Sequence, residues 1–454
     1  MHEQRRAMES LQQQIEVLKA QAASPTASRP ASPPPVVSEP PLLWEKKGAL
    51  TDGIRVQSGR AYMDIGLVGD LVMGISTAKD IEGHLQQDGH DPSQRGFTLQ
   101  GLEANFTGAV DPYFRGNANV AFQINSAGDS ALELEEAWLE TTSLPGNLQL
   151  RLGQYLTDFG RANTTHPHTW SFVDSPLVSA RLLGPDGVRN LGARLSWLVP
   201  TPFYSELFLG MQNSHGSTAY SFRYDHGNQV YLGRPNLSRN VNTLGDMLFS
   251  PRYTASFDIA DRQTLVLGIS GAFGPNASGQ DGYTRIYGAD LYWKWKSSHQ
   301  DAGFPFVSFQ TETIWRQYHA SVYSNAADDL NHSGAIDGTE RNVFGDSTVR
   351  TLPGETLLDY GLYSQISWGF TKGWVVALRG DWVNSSMSRY ESMYGRDPER
   401  AARWRISPNL TWFPTEFSKI RLQYNYDERA LLDNAHSIWL QFEFLLGAHG
   451  AHKF

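Results

Sequence analysis

From about Arg60 to the C-terminus, apolar side chains recur at every second position, and the gaps between these runs alternate short and long. In RWRISPNLTW, Trp404, Ile406, Leu410 and Trp412 fall on one face, while Arg403, Arg405, Ser407, Asn409 and Thr411 fall on the other. The next run repeats the pattern, with Ile420, Leu422, Tyr424 and Tyr426 against Arg421, Gln423, Asn425 and Asp427. Period two is the signature of a strand with two unlike faces. Sixteen such candidate strands are found, near 60–77, 97–109, 115–124, 131–142, 148–158, 188–199, 204–213, 250–259, 263–274, 283–297, 304–319, 356–370, 374–385, 403–413, 418–428 and 436–446. The even gaps are short: AVDPYF, SLPGN, VPTPF, DIADRQ, the stretch around SSHQDAGF, FTKGW and FPTEFSK. The odd gaps include the long segments 78–96, 159–187, 214–249, 320–355 and 386–402. A sandwich has no reason to keep this parity, whereas an up-and-down membrane barrel keeps its turns at one rim and its loops at the other. The expected fold is therefore all-β: a transmembrane antiparallel β-barrel of about sixteen strands, eighteen if the first region is not continuous. Lipid offers the backbone no hydrogen-bond partners, so only a sheet without edges can span.

No run of about 18 apolar residues supplies a transmembrane helix. A net charge of −9 argues against nucleic acid as a partner. The chain has no cysteine, which excludes disulfides, thiolate metal sites and thiol nucleophiles and suits an extracytoplasmic location. Met1 leads into HEQRR with no apolar stretch behind it. A presequence removed, a start placed late and a cytoplasmic chain are the alternatives this leaves. Met8, Leu11, Ile15 and Leu18 make a short coiled-coil seam over 1–23. Residues 24–59 include the Pro-rich SPTASRPASPPPVVSEPP and read as a periplasmic linker, leaving 60–454 for the barrel.

One loop carries a specific motif. DLNHSGAIDGTE has the spacing of an EF-hand calcium loop: Asp329, Asn331 and Ser333 at positions 1, 3 and 5, then Gly334 at the sharp turn. Ala335 offers its carbonyl at position 7, Asp337 stands at 9 and Glu340 is the bidentate ligand at 12. Parity places it outside the cell, so Ca2+ would order an exposed loop. Ser at position 5 points to an affinity in the extracellular class, roughly 10⁻⁴–10⁻³ M.

A second candidate lies in TDFGRANTTHPHTWSFVDSPLVSARLLGPDG, a loop of the kind that can fold into a lumen. His166 and His168 flank Pro167 and are candidate zinc ligands, given help from elsewhere, such as Asp158, Asp174 or another loop's histidine. The competing reading has both rings capping loop backbone and stacking on Trp170 or Phe172.

SLPGNLQLRLGQYLTDFGRANTTHPHTWSFVDSPLV, SWLVPTPFYSELFLGMQN and the ending FEFLLGAHGAHKF resemble bacterial outer-membrane proteins described as zinc-regulated TonB-dependent receptors. These are distantly similar to the phosphate-selective porin O and P family. The resemblance covers roughly 60–454 and implies an outer-membrane barrel connected with zinc supply. TonB-dependent receptors carry a plug ahead of a 22-stranded barrel; about 395 residues here suffice for about sixteen strands.

The leading functional expectation is a porin-like channel for passive diffusion of small hydrophilic solutes, with a zinc or anion bias, since sixteen to eighteen strands leave an aqueous lumen. Arg379, Arg403, Arg405 and Arg421 would line it as a basic ladder, with Glu133, Glu135 and Asp359 supplying opposite charge elsewhere. Lumen salt bridges to Asp381 and Asp427 are the competing account of the ladder. The alternatives are a homotrimeric structural protein tethering the outer membrane toward the cell wall, and a zinc-binding receptor. No GxSxG, HExxH or phosphate-cradling glycine loop points to an enzyme.

Overall fold

The computed structural model describes residues 54–58, 61–109, 111–125, 127–223, 230–237, 241–337, 340 and 347–447. The expected coiled coil, the linker up to residue 53 and the tail from 448 lie outside the described residues. The strands are β1 (Ala61–Ser76), β2 (Gly96–Ala109), β3 (Phe114–Ile124), β4 (Ser130–Thr141), β5 (Leu148–Leu156), β6 (Arg189–Leu198), β7 (Tyr204–Gln212) and β8 (Leu248–Ala260). They continue with β9 (Gln263–Pro275), β10 (Tyr283–Asp301), β11 (Phe304–Ala320), β12 (Glu355–Thr371), β13 (Trp374–Ser385), β14 (Arg403–Thr415), β15 (Ser418–Arg429) and β16 (Ala435–Gly447). Each pairs antiparallel with its chain neighbours. β16 returns to β1 from Gly66↔Gly447 to Ser76↔Ser437, which closes the barrel. A short strand, Ile54–Ser58, falls at the end of the segment read as linker and hairpins onto the start of β1.

Side-chain alternation sorts the chain between two solvents. On β14, Trp404, Ile406, Leu410 and Trp412 are exposed on the outside, whereas Arg403, Arg405, Ser407, Asn409 and Thr411 are buried inside. Aromatic pairs mark the edges of the outer band: Trp374 is paired with and stacked on Trp412, and Trp382 is paired with Trp404. Eight residues separate Trp374 from Trp382, about 27 Å along a strand and roughly 20 Å along the membrane normal at a tilt near 40°. That matches a hydrocarbon band bounded by aromatic girdles, and the chain belongs in the bacterial outer membrane.

The turns after β2, β4, β6, β8, β10, β12 and β14 are short, and the long segments 77–95, 157–188, 213–247, 321–354 and 386–402 all lie at the other end. Sixteen strands, rather than twenty-two, form the wall. The interior is occupied by a loop from the middle of the chain. Segment 157–188 turns inward and carries helix α1 (Leu177–Leu183). Its sequence, LVSARLL, is apolar nearly all round, so it is stable only when buried on several sides. Leu177, Val178, Leu182 and Leu183 pack with Ile286, Ile314, Tyr363 and Val383 from the wall. Each such burial is worth about 1.5–3 kcal/mol before ordering costs. Gly184, at φ 110°, ends the helix. A second short helix, α2 (Arg389–Tyr394), starts at a reciprocal capping box between Ser388 and Glu391.

Candidate functional site

The inward loop is held by a socket of side chains from β13, β14 and β15. Asp174 accepts from Arg379 Nη2 at 2.6 Å, Arg405 Nη1 at 2.9 Å, Gln423 Nε2 at 2.9 Å and Asn425 Nδ2 at 2.6 Å. Burial opposes ionisation of this carboxyl, but Arg405 and then Arg379 hold its pKa well below the ordinary carboxylate range. Backbone groups of the loop are gripped as well. Lys419 donates to His168 O at 3.0 Å, Arg421 to Trp170 O at 2.8 Å and Asn409 to Ser171 O at 2.9 Å. Arg379 also stands 4.7 Å from the centre of the Phe172 ring.

In this structure the arginines of the expected basic ladder take the arrangement of the competing account, lumen salt bridges that include Asp381 and Asp427. Arg379, Arg403, Arg405 and Arg421 do point inward, as alternation requires, but all four are buried and bonded. Arg403 and Arg405 share Asp427 at 2.6 and 2.8 Å, and both donate to Leu85 O of the folded-in segment 77–95. Arg379 adds Asp381 at 2.8 Å, and Arg421 donates to Gln441 at 2.9 Å. These guanidiniums hold loops in place. Asp359 is likewise an internal anchor, accepting from Arg316 at 2.8 Å and Arg400 at 3.0 Å. Glu133 binds Arg189.

His166 and His168 lie deeper, against β2 and β4. Pro167 opens a single 3-10 turn, Pro167–Thr169, which sets the two rings side by side with centroids 5.9 Å apart. They stack on each other rather than on Trp170 or Phe172. The carboxylates that reach them are not Asp158, which pairs with Arg194 at 3.3 Å, nor Asp174. They are Glu103, Glu135 and Glu136. His166 Nδ1 lies 3.2 Å from Glu135 Oε2 and 3.6 Å from Glu103 Oε2; its Nε2 lies 3.2 Å from Glu136. His168 Nδ1 is 3.2 Å from Glu103 Oε2. His90, from loop 77–95, completes the group with Nε2 3.2 Å from Glu135 Oε1.

Two neighbouring residues of β4 enter the same site because the strand is irregular there. Asn119 of β3 faces Glu136 and Val120 faces Leu134, so Glu135 is an extra residue in the ladder. Such a bulge re-aims side chains, and both Glu135 and Glu136 are buried inside the barrel. Strict alternation would have sent Glu136 into lipid. Burial disfavours the charged His90 ring, yet Glu135 overcomes this and raises its pKa to about 10. His166 behaves alike: burial lowers it, while Glu103, Glu135 and Glu136 bring it well above the ordinary histidine value.

In the 321–354 loop, the Asp329 carboxylate accepts the N–H groups of Ser333 and Gly334, each at 2.9 Å, and Gly334 has φ 83°. Glu340 Oε1 accepts Asn331 N–H at 2.9 Å, while its Oε2 is buried without a hydrogen-bond partner among the described residues. Ile336 is buried beneath; Asp337 is exposed.

No family model matches the chain. An uncharacterized protein of Aquifex aeolicus (strain VF5) is 29% identical over 393 residues, 82% of this chain and 72% of that protein. The outer membrane channel DcaP of Acinetobacter baumannii is similar in structure, with a TM-score of 0.54 at 14% identity over 87% of this chain and 100% of its own. An anion-selective porin from Comamonas acidovorans reaches 0.49 at 8% identity, over 85% of this chain and 100% of its own. At 14% identity the likeness to DcaP is one of fold: a closed antiparallel β-barrel.

Proposed function

We propose that this protein is an outer-membrane channel for passive diffusion of small hydrophilic solutes, narrowed by the loop between β5 and β6. The observation that carries the reading is a closed sixteen-strand wall with an apolar exterior and a polar interior, a size that encloses water unless something fills it. Toward the short-turn rim the inner surface is half-exposed and hydrophilic, with Asn105, Asn117 and Arg115. Beyond that level, passage depends on how far the loop leaves its socket. The arginines are matched by Asp174, Asp381 and Asp427, so an anion bias requires the loop to release Arg379 and Arg405 first. Conductance of the purified full chain in a planar bilayer is the test. Steady single-channel steps are expected; a barrel that inserts and stays silent overturns the reading.

The external loop is part of the same proposal. Calcium at Asp329, Asn331, Ser333, Ala335, Asp337 and Glu340 would order the segment 321–354. Support comes from the convergence of the Asp329 and Glu340 carboxylates on one turn, with the Glu340 Oε2 atom buried and turned away from solvent. Assembly as a homotrimer through residues 1–23 belongs to this reading too, and the mass of the detergent-solubilised full chain checks it.

A further inference from the structure

We propose that Glu103, Glu135 and His166 bind a divalent transition-metal ion of the zinc class inside the barrel. Each offers one donor atom, and the three atoms lie within 4.8 Å of one another. A tetrahedral ion with bonds of about 2.0–2.2 Å keeps its donors roughly 3.3–3.6 Å apart. His166 Nδ1 stands 3.2 Å from Glu135 Oε2 and 3.6 Å from Glu103 Oε2, so these edges need almost no adjustment. His168 Nδ1 is 3.2 Å from the same Glu103 oxygen but is not one of the three converging donors.

The arrangement has the outer support that metal-binding histidines require. Asn119 and Glu136 occupy the other nitrogen of His166, at 2.9 and 3.2 Å, and so leave Nδ1 facing the ion. Glu136 is a positioning residue. Mixed imidazole and carboxylate donors suit zinc and its first-row neighbours, whereas calcium and magnesium take oxygen alone. Charge points the same way. Glu103, Glu135 and Glu136 are buried together inside the barrel, where a dication would offset their mutual repulsion.

The site also borders space. A cavity of about 40 Å³, room for a few waters, is lined by His90, Glu135 and His166 together with Asp88, Asp186 and Arg189. The ligands come from three separate parts of the chain: β2, β4 and the inward loop. Metal binding would therefore fasten the loop to β2 and β4 in addition to its arginine socket on β13–β15. The inference rests on the channel reading only for the route by which the ion arrives.

The test uses the full chain in detergent, stripped by chelator and titrated with Co2+, then with Zn2+ as competitor. Saturable binding is expected, with visible Co2+ bands of a nitrogen and oxygen site that Zn2+ abolishes. Glu135→Gln and His166→Ala should each abolish saturable binding, and Glu136→Gln should weaken it about 10-fold. Absence of saturable binding by the wild type, or unchanged binding in both Glu135→Gln and His166→Ala, overturns the proposal. X-ray absorption of the zinc-loaded wild type covers the case in which the variants do not fold. Imidazole scattering supports the site; an oxygen-only shell overturns it. Conductance is read separately: a conducting barrel that binds no zinc loses this inference and keeps the channel, and a silent barrel that binds zinc does the reverse.

Discussion

Asp174 and Arg405 are 231 positions apart in the chain and 2.9 Å apart in the barrel, both fully buried. The pair joins the inward loop to β14, and Arg379 closes on the same carboxylate from β13. Removing one partner of such a cluster leaves the other charge buried and uncompensated, at a cost of about 3–5 kcal/mol. Asp174→Ala should therefore undock the loop, raise single-channel conductance and shift the reversal potential toward anions, because Arg379 and Arg405 each then lose one of their two carboxylate partners. A variant that folds with wild-type conductance would show that the loop does not narrow the pathway.

The same carboxyl sets an acid limit. Its folded pKa lies below the value of about 3.9 for an unfolded aspartate. A depressed pKa contributes stability that is fully present above the unfolded value and is lost only as pH falls through the folded one. The docked state should hold from neutrality to about pH 4 and fail under stronger acid. Conductance recorded across this range checks the sign, and opening between pH 7 and 5 would contradict it.

Much of the wall was legible because period two and gap parity are local signals, and lipid enforces both. The Trp404 to Trp412 stripe reads off RWRISPNLTW directly, and all sixteen expected strands are present within a few residues of their bounds. The inward direction of the arginines was legible for the same reason. Asp381 and Asp427 were legible as partners in the competing account of the ladder; Asp174 was not, because nothing near it in sequence says where a thirty-residue loop comes to rest. The metal candidate shows both limits. HPH marks His166 and His168, but Glu103 lies on an unremarkable strand and His90 in a remote loop. Glu136 was hidden by the bulge opposite Asn119, which breaks the very alternation used to read the strand. The signal in hindsight is ELEE itself, since adjacent glutamates on a membrane strand cannot both face inward without such a bulge.

Leu378 stands midway between Trp374 and Trp382 on β13 and is exposed on the outer face. If hydrocarbon covers it, Leu378→Arg should destabilise the barrel by about 2–4 kcal/mol, the range for a cation near the bilayer midplane. The same change at Trp374, close to the short-turn rim, should cost less of the charge-burial part. Urea unfolding in lipid vesicles measures both. An equal, small effect at the two positions would mean that this face meets water.

Glu340 tests the external loop without touching the barrel. Its Oε1 orders the turn through Asn331 N–H, and its buried Oε2 is the oxygen a calcium ion would take. Glu340→Gln keeps the side chain's shape and removes the charge, so calcium affinity should fall while the wall, more than ten residues away in sequence, is unaffected. Proteolysis of the wild-type loop should slow as calcium rises into the millimolar range expected for an extracellular site, roughly 10⁻⁴–10⁻³ M for half-protection. In Glu340→Gln that protection should disappear, while thermal unfolding of the barrel in detergent stays within a few degrees of wild type. Cleavage of the wild-type loop at one rate with and without calcium would leave Asp329 and Glu340 as an ordinary hydrogen-bonded turn.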